Sequence, residues 1–409
     1  MHELNREQVV NSFNKLLTYC EAEGFRGWDP YDGLNSSFFN RISFLKRNRF
    51  FRLAWIQAFK RSPFNFRKLL GVEKGYNSKG LGLFLSGYCR LYQIHPSREV
   101  KRRIEFLAQK LLEIKSNGWS GACWGYNFDW QARAFFQPRS TPTIVASTYV
   151  GYALLDAFEI LKDAKIFQEA VSIKDFILKD LNRTMGQNGE FAFSYSPLDK
   201  SQIFNASLLG CRLLSRIYSY TGDRELLKMA KKSIQFCVRH QQANGAWSYG
   251  TLPYHQWVDN FHTGFNLECL SEYEKFSGDT SFQQNIQLGL QYYLETFFTE
   301  EGIAKYYSDE IYPIDIHAPA QMVVTLGQLG KLTQNHSIVK RVLLWTIENM
   351  QDPKGYFYYQ KKKGYSSKIP YMRWAQAWMF YALSFYLVET KQLNSFAFDF
   401  GSMVSNSGS

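Results

Sequence analysis

The chain has 409 residues, 45% of them hydrophobic and 17% aromatic, and its formal net charge is +12 at pH 7. This composition excludes a disordered chain, because it supplies enough apolar surface for a large buried core. The basic residues are spread along the chain without a nucleic-acid recognition motif, so we expect an anionic polymer of another kind as partner, and no nucleic acid.

The six cysteines show no C-x-x-C spacing and fall mostly in apolar helical contexts. This pattern predicts buried free thiols in a reducing compartment and no zinc site. The first residues lack the apolar core of a signal peptide, and the longest apolar stretch, residues 377–388, is too short to span a bilayer. We therefore expect a cytoplasmic protein.

One pattern recurs from the N-terminus to the C-terminus. A charged amphipathic stretch leads into a loop of the form Gly-x-aromatic-x-aromatic, and a helix rich in small and apolar residues follows. The loops are centred on Trp28, Trp124, Phe191, Trp247, Ala304 and Phe357. Their spacing suits two helices and two connections per unit, which predicts a repeat architecture.

The two kinds of helix differ in how their apolar residues are distributed. In residues 223–238, Leu226, Ile234 and Cys237 share one face and Lys228 lies opposite, which predicts an outer helix with one face in water. Residues 143–158 are apolar nearly all round, which predicts an inner helix covered on both sides.

Applied along the chain, this distinction gives six helices of each kind. The predicted outer helices begin near Leu4, Ser97, Ala164, Asp223, Thr280 and Asn335. The predicted inner helices begin near Ser78, Thr143, Gln202, Val258, Ile316 and Tyr371. The fold is therefore predicted to be all-α, an (α/α)6 toroid in which the N-terminal helix pairs with the C-terminal helix and closes the ring.

Residues 1–400 are predicted to form this single domain, and the small polar residues 401–409 a disordered tail. A basic and aromatic insertion at residues 36–68 lies outside the repeat. We expect it to contain one helix from about Ser36 to Phe59 that caps one face of the toroid.

The helix pattern resembles the (α/α)6 toroids of the six-hairpin glycosidase-like class, which contains glycoside hydrolases, uronate lyases and epimerases. Three motifs resemble the VpsJ-like polysaccharide biosynthesis proteins: GWDPYDGLNS from Gly27, CWGYNFDWQ from Cys123 and DNFHTGFNLECL from Asp259. This resemblance implies a role beside glycosyltransferases in making exopolysaccharide, O-antigen or capsule. It implies no particular reaction.

In such toroids the loops that run from outer to inner helices gather at one rim around a central cleft. Asp259 and His262 stand three residues apart at the start of an inner helix, where the carboxylate could orient the imidazole or share its proton. The alternative is that Asp259 caps the helix and His262 belongs to the core. The spacing of further His and Cys residues does not suit a metal.

Other rim loops carry charged residues with two interpretations each. Arg133 and Arg139 follow Asp129 and could hold a uronate or a phosphorylated sugar, or could pair with Asp129 or a helix end. Asp29 and Asp32 could be the acid and base of a glycosidase, although turn formation around them is the interpretation we favour.

Two further loops precede the last inner helices. Asp315 is more simply a helix cap for the segment that carries His317. Arg373 and Trp374 stand where the final inner helix begins, so Trp374 is either a sugar-stacking or a core residue. Trp28 and Trp124 are also candidate sugar contacts, although packing between repeat units is the interpretation we favour for both.

These observations favour an enzyme acting on an acidic glycan in an aromatic cleft, by lyase, epimerase or glycoside hydrolase chemistry, with no cofactor and no metal. The catalytic candidates are Asp259, His262 and Asp129. The substrate-binding candidates are Trp28, Asp32, Trp124, Tyr126, Arg133, Arg139, Tyr249, His317, Arg373 and Trp374. The alternative is a non-catalytic glycan-binding or scaffold protein whose basic insertion rests on an anionic membrane surface or on a partner.

Overall fold

The computed structural model describes residues 4–131 and 136–390. All structural statements below concern those residues. Two of the expectations above, the role of Arg133 and the disordered tail at 401–409, lie outside the described residues.

The described helices follow the predicted alternation. The outer helix α1 (Arg6–Ala22) is followed by three short helices, α2 (Ser37–Arg41), α3 (Ser43–Arg47) and α4 (Arg49–Arg61). Inner and outer helices then alternate as α5 (Ser78–Ile94), α6 (Arg98–Glu113), α7 (Ile144–Leu161), α8 (Ala164–Asp175), α9 (Phe204–Thr221), α10 (Arg224–Arg239), α11 (Asn260–Ser277), α12 (Gln283–Phe297), α13 (His317–Gln328), α14 (His336–Met350) and α15 (Ala377–Glu389).

The inner helices form a closed ring, which confirms the predicted toroid. Each packs against the next in the order α5, α7, α9, α11, α13, α15, and α15 packs back against α5. The N-terminal helix α1 packs against α15 and so completes the last pair. Apolar side chains from α1 and from α5 to α15, the twelve helices of the toroid, join one continuous buried core.

Burial follows the sequence pattern. On α10, Leu226, Ile234 and Cys237 are buried while Lys228 is exposed. Among the described helices, α7 has the length and apolar composition of a membrane span, but 72% of that stretch is buried inside the fold. Its apolar surface is that of an inner helix packed against α5 and α9. All six cysteines are buried and free, as predicted.

The repeat glycines explain why the loop motif recurs. Gly355 has a φ of +101°, which glycine adopts without strain, and a Cβ there would collide with the Lys15 carbonyl oxygen of α1. Gly245 has a φ of +93° and meets the Leu288 carbonyl oxygen of α12 in the same way. Each such glycine lets a loop lie directly on the backbone of the following outer helix, and Gly355 does so across the ring closure.

Short antiparallel strands form within the loops. These are β1 (Trp130–Gln131) with β2 (Phe136–Gln137), β3 (Arg183–Met185) with β4 (Phe191–Phe193), and β5 (Ile314–Asp315) with β6 (Gln360–Lys362), which also pairs with β7 (Tyr365–Ser367). The β5–β6 pair ties the loop before α13 to the loop before α15, and Asp315 lies opposite Gln360. It therefore fixes two rim loops relative to one another.

The prediction of one continuous helix from Ser36 to Phe59 is wrong. The chain leaves helical geometry at Ile42 and again at Asn48, whose side chain accepts a hydrogen bond from the Phe50 N–H and restarts the helix as α4. Asn favours such caps over helix interiors, because its side chain competes for nearby backbone groups. The indole of Trp55 on α4 donates to the Gly33 carbonyl oxygen at 3.0 Å, which anchors α4 over the rim.

Candidate functional site

The rim loops surround a cavity of about 430 Å³ at the end of the toroid that α4 covers. Its walls come from the loops leading into the inner helices and from the first turns of those helices, and α4 supplies the remaining side. Side chains that carry polar or aromatic groups into this rim cavity include Tyr31, Lys60, Lys79, Tyr126, Trp130, Tyr195, Tyr249, Tyr254, His255, Trp257, His262, Tyr306, Tyr307, His317, Arg373 and Trp374.

Asp259 and His262 form a hydrogen-bonded pair at the start of α11. The Asp259 Oδ2 atom lies 2.6 Å from His262 Nδ1, while Oδ1 accepts the backbone N–H of His262 at 2.9 Å. Asp259 is 2% exposed, and the His262 side chain keeps 21% of its surface. Because Nδ1 is engaged by the carboxylate, Nε2 is the ring nitrogen left for the cavity.

Aromatic side chains hold this pair in place. The Trp257 indole N–H donates to Asp259 Oδ2 at 2.9 Å, so that oxygen accepts two hydrogen bonds. Tyr249 stacks on Trp257 with ring centres 4.6 Å apart, and its ring centre also lies 4.6 Å from that of His262. The indole hydrogen bond and the packed rings of Trp257 and Tyr249 thus hold the pair in place, which restricts the orientation of the imidazole.

His317 lies on the other side of Phe261. Its ring is parallel to that of Phe261 at 4.4 Å and also contacts Trp378 at 4.2 Å. His317 is 2% exposed, and neither ring nitrogen has a hydrogen-bond partner among the described residues. Burial lowers the pKa of His317 well below its usual value, and the nearby Lys79 lowers it further. The imidazole is therefore neutral at pH 7.

Asp315 is fully buried and does not line the rim cavity. It accepts the backbone N–H of His317 at 2.9 Å, the Gln360 amide at 2.6 Å and the Trp374 indole N–H at 2.9 Å. Burial raises its pKa to about 6, although these hydrogen bonds oppose the rise. Its structural effect is to hold the Trp374 ring against the cavity wall.

The arginine at the start of the last inner segment is neutralised by a carboxylate. Arg373 binds Asp29 with two hydrogen bonds, of 2.5 Å from Nε and 2.8 Å from an Nη atom. Asp32 in turn pairs with Arg67 at 2.7 Å. Burial raises the pKa of Asp32 to about 6, against the opposing charge of Arg67. Asp29 thus ties the first rim loop to the last, and Asp32 ties the first rim loop to the end of the insertion. Neither carboxylate is part of the cavity lining.

Two hydroxyl groups meet at another wall of the cavity. The Tyr126 and Tyr195 hydroxyl oxygens lie 2.8 Å apart, which places a hydrogen bond between two adjacent rim loops. Tyr31 accepts a hydrogen bond from the Lys60 ammonium of α4 at 2.9 Å. Sugar hydroxyls find both donors and acceptors in such a wall.

Several predicted site residues are not in the cavity lining. Trp124 is fully buried and donates to the Leu111 carbonyl oxygen at 2.7 Å, and Trp28 donates to the Val72 carbonyl oxygen at 2.8 Å, so both indoles hold the framework. Asp129 accepts the backbone N–H of Arg139 at 2.7 Å. The Arg139 side chain is exposed, and neither residue lines the rim cavity.

The other predicted residues are brought together. Five substrate-binding candidates share the cavity with the catalytic candidate His262, and Asp259 stands directly behind that histidine. These five are Tyr126, Tyr249, His317, Arg373 and Trp374.

The sequence interpretation missed Lys79, which lines the floor of the cavity at the first turn of α5. A signal was present, because Lys79 is the one charged residue among the small and apolar residues 78–89. Lys60 and Trp257 were also missed. Neither residue stands out from the sequence around it, Lys60 in α4 or Trp257 in the loop before α11.

Two features of the lining restrict its chemistry. Among the described residues that line the cavity there is no Asp or Glu, whereas Lys60, Lys79 and Arg373 are present. The described residues contain no group of three His, Cys, Asp or Glu side chains that could hold a metal ion. The cavity therefore offers imidazole, hydroxyl and amine groups for proton transfer.

No protein-family model matches the chain, and no curated protein is similar in sequence. Solved structures are similar in fold. An unsaturated glucuronyl hydrolase specific for heparin has a TM-score of 0.61 at 11% identity, covering 94% of this chain and 97% of its own. Cellobiose 2-epimerase from Bacillus thermoamylovorans has a TM-score of 0.61 at 11% identity, covering 77% of this chain and 88% of its own.

A polysaccharide lyase has a TM-score of 0.58 at 10% identity, covering 96% of this chain and 99% of its own. These three structures are carbohydrate-active enzymes with the (α/α)6 toroid fold. At such identities the likeness establishes the fold alone. The resemblance to VpsJ-like proteins finds no support among these matches.

Proposed function

We propose that this chain is a carbohydrate-active enzyme that removes a proton from a sugar carbon, as epimerases and lyases do. The observation that carries the proposal is His262, oriented by Asp259 in an aromatic cavity whose described lining contains no carboxylate. The enzymatic activities of the solved structures with the same fold support a sugar as the ligand.

The first step follows from the hydrogen bond between the pair. Asp259 holds the proton on His262 Nδ1, so the lone pair resides on Nε2, where it can accept a proton from a carbon beside a carbonyl or carboxylate group. The buried carboxylate then stabilises the imidazolium that forms. The electron pair moves onto the carbonyl or carboxylate oxygen of the sugar, giving an enediolate or enolate.

Two outcomes share this first step. Return of a proton to the opposite face of the carbon gives an epimer. Expulsion of a substituent from the neighbouring carbon gives an unsaturated sugar. The hydroxyl pair of Tyr126 and Tyr195 is one group in the cavity that can deliver or receive the second proton.

Hydrolysis by two carboxylates has less support. A glycosidase of that kind places two carboxyl groups on either side of the bond to be cleaved. Here Asp29 and Asp32 are paired with buried arginines, and Asp315 accepts three hydrogen bonds in the core.

The biological setting remains part of the proposal. The VpsJ-like motifs and the basic composition favour a cytoplasmic role in bacterial exopolysaccharide, O-antigen or capsule synthesis, beside the glycosyltransferases of the pathway, with an acidic glycan as substrate. Of the two arginines predicted to hold the acidic group, Arg139 lies outside the cavity and Arg133 lies outside the described residues. The cavity arginine Arg373 is already paired with Asp29.

The decisive experiment measures exchange with solvent. The full chain is incubated in D₂O with a panel of reducing disaccharides and uronate oligosaccharides, and deuterium on carbon is measured by mass spectrometry. We expect exchange with at least one sugar and its loss in His262→Asn, while the exposed control His240→Asn behaves as the wild type. The proposal would be overturned if no sugar gave either deuterium on carbon or an unsaturated product, or if His262→Asn gave as much of either as the wild type.

A second candidate function rests on the outer surface of the basic insertion. Large apolar side chains are exposed there, with Phe44, Phe50 and Phe64 each more than 60% exposed. Exposed cations surround them, namely Arg41, Lys46, Arg47 and Arg49. Aromatic and basic residues mixed on one surface suit the headgroup region of an anionic membrane.

The same insertion reaches the rim cavity. Ile56 and Lys60 of α4 line it, whereas Phe50 of α4 faces solvent. Docking of this surface on a membrane would bring the cavity beside the lipid headgroups, where a lipid-linked glycan precursor would be presented. We therefore propose membrane association either as an addition to the enzymatic role or, without catalysis, as the function of a glycan-binding scaffold.

Flotation tests this second candidate with phosphatidylcholine vesicles that contain or lack phosphatidylserine. We expect the chain to float only with the anionic vesicles at low salt, and neutralisation of the four insertion cations to abolish flotation. The control removes four exposed cations from elsewhere on the surface, namely Arg102, Lys162, Lys179 and Lys228. No flotation of the wild type, or equal loss in the control, would remove the membrane role.

A further inference from the structure

Lys79 is a buried amine at the floor of the rim cavity. It stands in the first turn of α5, is 4% exposed, and its Nζ atom lies 4.3 Å from the ring centre of Tyr149. Phe265 and Trp378 complete an aromatic box around it, each with a ring centre 5.1 Å from Nζ. The cavity is the open side of this box, because Lys79 and Phe265 both line it.

No carboxylate among the described residues neutralises Lys79. Among the described residues, none forms a salt bridge or a hydrogen bond with its Nζ atom. The two carboxylates that act on it from a distance are Asp29, bound by Arg373, and Glu268, which lies 3.5 Å from Arg212. A buried cation without a partner is costly, and burial lowers the pKa of Lys79 well below its usual value. Aromatic faces offset only part of that cost.

A second buried group without a partner shares the same rings. The ring centre of His317 lies 4.2 Å from that of Trp378 and 5.7 Å from that of Phe265, and neither of its nitrogens has a hydrogen-bond partner in the described part of the chain. Lys79 and His317 therefore lie side by side at the cavity floor, one a cation when protonated and the other a neutral donor and acceptor. An anionic group that enters the cavity would satisfy both at once.

We infer that Lys79, with His317 beside it, forms the subsite for the acidic substituent of the sugar, either a uronate carboxylate or a phosphate. This inference rests on the proposed function and deepens it, because it assigns the charge of the substrate to a defined place. The described lining of the cavity holds no competing carboxylate. Of its two other cations, Arg373 is paired with Asp29 and Lys60 donates to the Tyr31 hydroxyl. The acidic group then lies on the far side of Phe261 from His262, which orients the sugar between the two histidines.

The test compares sugars that differ only in this substituent. Binding of glucuronate, galacturonate and mannuronate to the full chain is measured by titration calorimetry against glucose, galactose and mannose and against their 6-phosphates. We expect at least one acidic sugar to bind tenfold or more tightly than its neutral counterpart, and Lys79→Met to remove that preference. The control Lys228→Met removes an exposed lysine, which keeps the net charge of the two variants equal.

The outcomes distinguish a carboxylate from a phosphate, and they test the subsite separately from the proposed enzyme. A preference for the uronates identifies a carboxylate, and a preference for the 6-phosphates identifies a phosphate. Neutral sugars bound as tightly as acidic ones, or a preference that survives in Lys79→Met, would overturn the subsite and leave the proposed enzyme standing. Binding of no sugar in the panel would count against both. Lys79→Gln, checked by thermal melting, serves as the second variant if Lys79→Met fails to fold.

Discussion

Asp259 binds His262 twice, once through each carboxylate oxygen. Oδ1 accepts the backbone N–H of His262 and caps α11, and Oδ2 lies 2.6 Å from the imidazole Nδ1. The two interpretations offered by the sequence, helix cap and orienting carboxylate, are therefore compatible. The cap fixes the carboxylate on the first turn, and the fixed carboxylate holds the ring.

These two contacts can be separated by substitution. In Asp259→Asn the side-chain oxygen still caps the helix, but the amide donates to Nδ1 and reverses the tautomer. We expect solvent exchange to fall about 100-fold or more. The hydrogen bond from the Trp257 indole N–H is also lost, which should lower the unfolding free energy by about 1 kcal/mol. Asp259→Ala should lose the cap as well, at a further cost of about 1 kcal/mol of unfolding free energy. If solvent exchange is unchanged in Asp259→Asn, then Asp259 acts only as a helix cap.

His317 is predicted to remain neutral where an ordinary histidine is charged. Its folded-state pKa is lowered by burial, so between that pKa and 6.5 the unfolded chain binds a proton that the folded chain does not. Its contribution to stability is therefore lost as the pH falls below 6.5. Ring nitrogen NMR shifts at pH 6, assigned with His317→Gln, should be those of a neutral imidazole. Shifts of an imidazolium at that pH would contradict the prediction.

Lys79→Met is predicted to stabilise the fold. Methionine fills the aromatic box without the cost of a buried amine, and we expect a gain of about 1–2 kcal/mol at pH 7 in urea unfolding. Because the pKa of Lys79 is lowered, the cost grows as the pH falls below 10.5, so the gain should be larger at pH 7 than at pH 10. A purely structural cation would give the opposite result, a loss of stability in Lys79→Met.

Gly355→Ala tests the closure of the ring. The new Cβ would collide with the Lys15 carbonyl oxygen at a φ of +101°, and we expect a loss of at least about 2 kcal/mol of unfolding free energy. The matched control is Gly364→Ala, with a φ of +87° and no atom within 4 Å, which should lose only about 1 kcal/mol. Equal losses would mean that backbone strain alone, and no contact with α1, requires the glycine.

Much of the toroid could be predicted because its signals are local. Apolar periodicity distinguishes α10 from α7, and the loop glycines report a backbone contact that each unit repeats. The insertion was mispredicted for a related reason. Its apolar and basic residues continue without a break, and the capping tendency of Asn48 is a weaker signal than that continuity.

The candidate site was only half predictable. Asp259 and His262 lie three apart on one helix turn, so their contact follows from local geometry. Trp124 and Arg373 both come from rim loops, yet Trp124 is buried in the core and Arg373 lines the cavity. The sequence does not tell which indole turns into the core or which arginine meets a carboxylate. The partner of Arg373 is Asp29, 344 positions away along the chain.

By itself the sequence determined the helical repeat, the order of inner and outer helices and one hydrogen-bonded pair, because each depends on residues within a turn or two of one another. The tertiary structure alone decided which charges are neutralised and which are not. Asp29 and Asp32 are each held by a buried arginine, while Lys79 faces the cavity with no counter-ion among the described residues. Burial and long-range pairing set those states, and both exist only after the ring has closed.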